Sequence, residues 1–157
     1  MSNAIFITDK GTFTVELFPQ DAPKTVENFT TLISEGFYDG IAFHRIIPEF
    51  VVQGGDPLTK ELPIDHPRIG TGGPDHKIKC ETRGNPRTHE VGALSMAHAG
   101  KDTGASQFFI VLNENNTRHL NGVHTVFGKV SEGMDVVRKL ERGDRIQKVE
   151  IAENGAA

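Results

Sequence analysis

From Thr12 to Leu17 the chain reads Thr-Phe-Thr-Val-Glu-Leu, polar and apolar in strict alternation. Only an extended strand with one buried face sorts such a run, because successive side chains of a strand point to opposite sides. Ala4–Thr8 and the Asp9-Lys10-Gly11 turn precede it and complete a hairpin signal. Further short extended runs are expected at Ile41–Ile47, Phe50–Gln53, Ile78–Glu81, Ala93–Ala97, Gln107–Leu112, Thr125–Val130 and Arg145–Ala152, with glycine-containing turns between most of them. Helical spacing occurs twice. Val26, Phe29, Leu32 and Ile33 form a stripe that opens near Pro23 and closes at Gly36, and Met134, Val137 and Leu140 share a face within Gly133–Arg142. About eight short strands with two helices call for an antiparallel sheet that closes or sandwiches, the helices covering its openings or one face.

The length, 157 residues, suits one domain spanning 1–157 with its own core. The longest unbroken apolar run, Phe108–Leu112, is far shorter than the ~18 residues of a membrane span, and no secretory segment opens the chain. A cytoplasmic location and no membrane association are expected. A single cysteine, Cys80, excludes an internal disulfide. Lys and Arg number 17 against 21 Asp and Glu, without a basic cluster, which argues against nucleic-acid binding. Between Asp56 and Asp75 the periodicity stops, and four of the eight prolines fall there with Gly70, Gly72 and Gly73. Long loops of this kind are usually functional or mobile. Its Leu58–Arg68 portion is expected to be a solvated loop.

Polar residues within apolar strands mark the candidates for chemistry. Alternation places Phe43, Arg45 and Ile47 on one face. Arg45 is then either a partly exposed strand arginine with a carboxylate partner or a guanidinium aimed into a polar pocket. Gln107 and Phe109 share a face opposite Phe108 and Ile110, which suits either a peptide-binding wall or a core ring beside a backbone-bonded amide. The seven histidines (44, 66, 76, 89, 98, 119 and 124) form no H-E-x-x-H pattern and pair with no C-x-x-C, so neither metal nor cofactor is expected; weak Ni or Zn capture by surface histidines is the remaining metal reading. Gly104–Phe108 lacks the closing glycine of a nucleophile elbow, and Gly70–Gly73 lacks the Gly-Lys-Ser/Thr of a phosphate loop.

Taken together, these stretches resemble the cyclophilin family of peptidyl-prolyl cis/trans isomerases. The motifs are collinear: Phe43-His44-Arg45-Ile46-Ile47-Pro48 with Phe50 and Gln53-Gly54-Gly55-Asp56, then Gly70-Thr71-Gly72-Gly73, then Leu94-Ser95-Met96-Ala97 with Ala99. Ser106-Gln107-Phe108-Phe109-Ile110 and Leu120, Gly122, His124 with Val126-Phe127-Gly128-Lys129-Val130 complete them. The resemblance implies a mainly β fold, a closed eight-stranded antiparallel β-barrel capped by α-helices near 23–35 and 133–142. It implies an isomerase, expected to be monomeric, acting on proline-containing peptides and unfolded or folding proteins. Arg45 matches the catalytic arginine, and Phe50, Phe109 and Leu120 match the pocket for the proline ring. Gln53 matches the glutamine that holds the substrate backbone, Gln107 with Ala97, His98 and Ala99 the groove beside it, and His124 the pocket histidine. His98 stands for a common Asn and Val51 for a common Met at the pocket edge. His119 stands where many eukaryotic members carry Trp, which argues against strong cyclosporin binding.

The chemistry implied is donation by Arg45 to the imide nitrogen as it loses conjugation, which favours the twisted state over both planar ones. Alternation alone puts Phe50 and Gln53 on opposite faces, so a shared pocket requires a twist or bulge between them. The alternative reading is a chaperone module that holds proline-containing segments, with incidental catalysis.

Overall fold

The computed structural model describes residues 2–153. One antiparallel sheet contains β1 (Ser2–Thr8), β2 (Gly11–Leu17), β3 (Arg45–Ile47), β4 (Val51–Gly54), β5 (Ala93–Met96), β6 (Phe108–Val111), β7 (Val126–Glu132) and β8 (Ile146–Glu153), in the spatial order β3-β4-β6-β5-β7-β2-β1-β8. Two α-helices, α1 (Pro23–Ser34) and α2 (Met134–Lys139), and 3-10 turns at Pro57–Lys60, Glu114–Asn116 and Arg118–Leu120 complete the described elements. None of the described helices is long and apolar enough to cross a membrane.

The alternating run does what its period requires. Register pairs Phe6 with Phe13 and Ala4 with Val15, so Phe13, Val15 and Leu17 all enter the main core. The Phe6 and Phe13 rings stack with centroids 4.8 Å apart, and Phe29 of α1 meets Phe108 and Phe127 edge-on. Val26, Phe29, Leu32 and Ile33 are the buried stripe of α1, together with Thr25. Tyr38 is fully buried and its hydroxyl donates to the Ser106 carbonyl at 2.9 Å.

Ala22 precedes α1 without a side-chain cap. The Glu81 carboxylate takes over that task from across the fold, accepting from the Thr25 amide at 2.6 Å, the Thr25 hydroxyl at 2.8 Å and the Lys24 amide at 3.2 Å. An anion on otherwise unpaired N-terminal amides stabilises a helix by about 0.5–2 kcal/mol. This arrangement also explains why Ile78–Glu81 is not the strand expected. Cys80 N donates to Asp102 Oδ1 and Glu81 N to Thr125 Oγ1, leaving a single bridge between Ile78 and Gly104 in place of a ladder.

Two further expectations change. The mainly β, eight-stranded antiparallel fold with two helices is as expected, but closure is less complete: β3 and β8, the ends of the order, do not pair as strands, and the sheet curls into a half-barrel. Its edges meet through an irregular seam, with an Ala42–Arg145 bridge and backbone bonds from Phe43 N to Asp144 O and from Ile146 N to Ile41 O, both 2.8 Å. Ile41, Ala42, Phe43 and His44 are buried consecutively; a segment with no exposed side cannot alternate, so the strand shortens to Arg45–Ile47 and Phe43 enters the core rather than sharing Arg45's face. Nor is Leu58–Arg68 simply a solvated loop. Thr59 is buried, its hydroxyl accepting from Ala42 N and donating to Asp56 O, while Arg145 donates to the Thr59 carbonyl.

Phe108 occupies the centre of this packing, with rings of Phe6, Phe29, Tyr38 and Phe43 around it. Phe108→Ala is expected to cost about 3–5 kcal/mol, read as a lowered urea midpoint by far-UV circular dichroism.

Candidate active site

Strand β6 is buried on both faces. Phe108 and Ile110 point into the main core, whereas Phe109 and Val111 join Val51, Ala93 and Val126 in a second apolar cluster, against which Phe50, Ala97 and Leu120 pack. Register carries that second face across the sheet: Arg45 opposes Gln53, Gln53 opposes Phe109, Phe109 opposes Ser95, and Ser95 opposes Val126. Residues from distant segments thus form one row, because directly opposed side chains lie on the same face.

Over this face lies a cleft of about 310 Å³ lined by Arg45, Phe50, Val51, Gln53, Ala97, His98, Phe109, Leu120 and His124. Gln107 and Ala99 border an adjoining cavity of about 370 Å³ that shares Gln53, Ala97 and His98 with it. His119 lines neither; its ring stacks on Phe50 at 5.9 Å. Phe50 reaches the cleft without a bulge in β4. It belongs to the turn Pro48–Phe50, in which Glu49 takes a φ of 61°, so strand alternation does not govern it.

A chain of hydrogen bonds fixes the polar rim. Arg45 Nη1 donates to Gln53 Oε1 at 3.1 Å, Gln53 Nε2 to Gln107 Oε1 at 3.3 Å, and Gln107 Nε2 to the Gly70 and Gly72 carbonyls at 2.9 and 3.0 Å. The same two glycines donate their amides to Asp56 Oδ2, and Leu58 N donates to Asp56 Oδ1 at 2.8 Å. Asp56 is fully buried, so its carboxylate depends on these three donors. A Cβ at Gly72 would stand 2.1 Å from Asp56 Oδ1, which is why the chain needs glycine there.

Sequence reasoning missed two contributors. Asp56 was visible only as the end of a motif. His89, buried, stacks on Phe109 at 5.7 Å and lies 2.8 Å from both Asn121 Oδ1 and Ser95 Oγ, backing the wall of the cleft. It precedes β5 in an aperiodic segment, where no pattern marks it. At the front, His124 Nδ1 donates to the Met96 carbonyl at 2.9 Å, and the His98 ring stacks on it at 4.0 Å. Among the described residues no group of three or more His, Cys, Asp or Glu could hold a metal ion. The arrangement offers a permanently charged donor beside an apolar floor, without an activated nucleophile.

Comparison with known proteins agrees with this geometry. The family model for cyclophilin type peptidyl-prolyl cis-trans isomerase/CLD matches residues 4–155. Peptidyl-prolyl cis-trans isomerase B of Bacillus subtilis is 53% identical over 152 residues, covering 96% of this chain and 99% of that protein. A peptidyl-prolyl cis-trans isomerase of Synechococcus elongatus is 49% identical, covering 99% and 100%. A crystal structure of a Cryptosporidium parvum cyclophilin type peptidyl-prolyl cis-trans isomerase in the presence of the dipeptide Ala-Pro superposes with a TM-score of 0.84 at 30% identity, over 97% of this chain and 99% of that one.

Burial lowers the pKa of His44, His89 and His124 below the ordinary 6.5, against partial opposition from Asp56, Asn121 and the Met96 carbonyl respectively. The unfolded chain therefore takes up these protons first as pH falls, so stability is full above about pH 7 and drops as pH falls from about 6.5 through the lowered native values. Urea midpoints measured at about pH 7.5, 6.5 and 5.5 check this; a His89→Gln variant is expected to show a shallower decline. Asp56→Asn is expected to lose about 1–3 kcal/mol through its unpaired amides, with a raised KM for peptide as the rim loosens.

Proposed function

The chain belongs to the cyclophilin-type peptidyl-prolyl cis-trans isomerases, and from that membership we propose that it rotates X-Pro bonds by donation from Arg45 to the imide nitrogen of a peptide whose proline ring rests on Phe50, Phe109 and Leu120. The enzyme class is peptidyl-prolyl cis-trans isomerase. The observation that carries the mechanism is the row Arg45–Gln53–Phe109, which sets a guanidinium and an amide beside an aromatic ring on one face of three paired strands.

Rotation about the imide bond faces a barrier of ~18–20 kcal/mol because the C–N bond has partial double-bond character. As the bond twists, the nitrogen lone pair leaves conjugation and becomes a hydrogen-bond acceptor. A donor aimed at that nitrogen stabilises the twisted state and neither planar ground state, which is the condition for acceleration. No covalent bond breaks and no proton need transfer. Arg45 is exposed and bonded to Gln53 at 3.1 Å, so one part of its fork is held while the rest faces the cleft. A bound peptide would exclude water from the guanidinium and strengthen its field. Gln53 orients Arg45, and Gln107 holds Gln53 through the rim. The relative solved in the presence of Ala-Pro supports proline-containing peptides, and by extension folding polypeptides, as substrate. Weak cyclosporin binding belongs to the same reading, since His119 rather than Trp precedes Leu120.

The test is the cis-to-trans rate of a short Ala-Pro peptide by exchange NMR. Arg45→Ala is expected to lower kcat/KM about 10²–10³-fold, the usual cost of removing a transition-state donor, with an unchanged urea midpoint. For the wild type, kcat/KM is expected to be flat from about pH 7 to 9, because Arg stays charged and no thiol or carboxylate takes part. Binding of peptide by a folded wild type that leaves the rate unchanged would instead favour the chaperone module.

A further inference from the structure

Beside the proline cleft, and sharing Arg45 and Gln53 with it, lies a third cavity, of about 400 Å³. Its lining combines Arg45, His44 and Arg142 with His66, Ile64 and Ile69 from the Leu58–Arg68 stretch. Arg142, in the turn before β8, ties that stretch down: its Nη2 donates to Ile64 O at 2.9 Å and its Nε to His44 O at 3.3 Å. The cavity is therefore a built feature with walls from three separate segments.

Two guanidiniums, those of Arg45 and Arg142, line this cavity. Among the described residues no carboxylate stands within ion-pair distance of Arg45 or Arg142. No acidic residue lines the cavity. The Asp56 carboxylate, which accepts from three backbone amides, does not line the cavity. His44 is 8% exposed, and its Nδ1 is buried without a hydrogen-bond partner. Arg45, Arg142 and His44 all line the cavity, and Arg142 Nε donates to the His44 carbonyl. Two guanidiniums without a carboxylate partner, beside an imidazole with an unbonded nitrogen, make a receptor for an oxyanion.

We infer that this cavity is a carboxylate subsite, which takes an Asp or Glu side chain of the polypeptide substrate close in sequence to the proline. The inference rests on the proposed placement of the peptide at Arg45. Continuity argues for a substrate residue over a free anion: Arg45 and Gln53 line both the proline cleft and this cavity. An extended chain advances about 3.3–3.6 Å per residue, so an acidic side chain within about two residues of the proline reaches the far side of Arg45. The Leu58–Arg68 stretch then acts as a specificity wall.

The test compares capped, C-terminally amidated Ala-Pro peptides carrying Glu or Gln two residues before, or two residues after, the proline. Affinities are measured by NMR titration of wild type, Arg142→Gln and Arg142→Lys, with folding checked by circular dichroism. Wild type is expected to bind one Glu peptide about fivefold more tightly than its Gln counterpart at low salt, less so at about 0.5 M salt. Arg142→Gln should abolish that preference while binding the Gln peptide unchanged, and Arg142→Lys should retain part of it. Equal affinity for Glu and Gln at both positions in wild type overturns the inference, as does a preference untouched in both variants. The isomerisation rate of the Gln peptide with wild type and Arg45→Ala reports separately on the role of Arg45. Loss of that role leaves the charge preference readable as affinity.

Discussion

Everything about this molecule depends on one strand having two different insides. Strand β6 sends Phe108 and Ile110 into the main core and Phe109 and Val111 into the second cluster. A strand exposed on one side would stabilise the fold and leave no floor for a binding site. Because both faces are buried, the residues that stabilise the sheet and those that shape the cleft are immediate neighbours, held by the same backbone ladder. A fully buried large side chain contributes about 1.5–3 kcal/mol, and Phe109 carries that anchoring into the floor of the site, where the partly buried Phe50 and Leu120 pack against its cluster. That anchoring suits the proposed mechanism, which needs a donor placed against a nitrogen and very little else.

The polar rim is governed by a second constraint, the isolated charge of Asp56. A fully buried carboxylate must find donors, and the donors available are amides of a segment rich in proline and glycine whose described regular structure is the short 3-10 turn Pro57–Lys60. Three of them, from Leu58, Gly70 and Gly72, converge on the two oxygens. The loop so ordered presents the Gly70 and Gly72 carbonyls to Gln107, and the order passes through Gln53 to Arg45. Its outer wall, clamped by Arg142 and Arg145, bounds the cationic cavity. A long aperiodic loop, part of it expected to be solvated, thus borders the rim on one side and the third cavity on the other.

Legibility in the sequence followed the range of the interaction. The Thr12–Leu17 alternation and the α1 stripe were readable because each reflects a local period, and both bury the residues they mark. Gln107 and Phe109 on one side, Phe108 and Ile110 on the other, followed from the same rule. Where local period met a non-local demand, the reading failed. Ile41–His44 is apolar enough for a strand yet buried all round, so it became the seam of a half-barrel. Ile78–Glu81 has strand character, yet Glu81 is committed to the N-terminus of α1. Phe50 seemed to face away from Gln53 because no propensity signalled the left-handed Glu49 before it.

The sequence by itself determined most of the short strands, the two helices, the family and most of the residues gathered at the cleft, since residue order and side-chain period are properties of the chain. Only the tertiary structure decided that Arg45, Gln53, Phe109 and Ser95 stand in one row, that Asp56 organises the rim, that His89 backs Phe109, and that Arg45 and Arg142 share a cavity. The reason is physical: those relations are set by registers between strands distant in the chain and by which buried polar groups find partners. Both are decided when the sheet curls, and neither has a local signature.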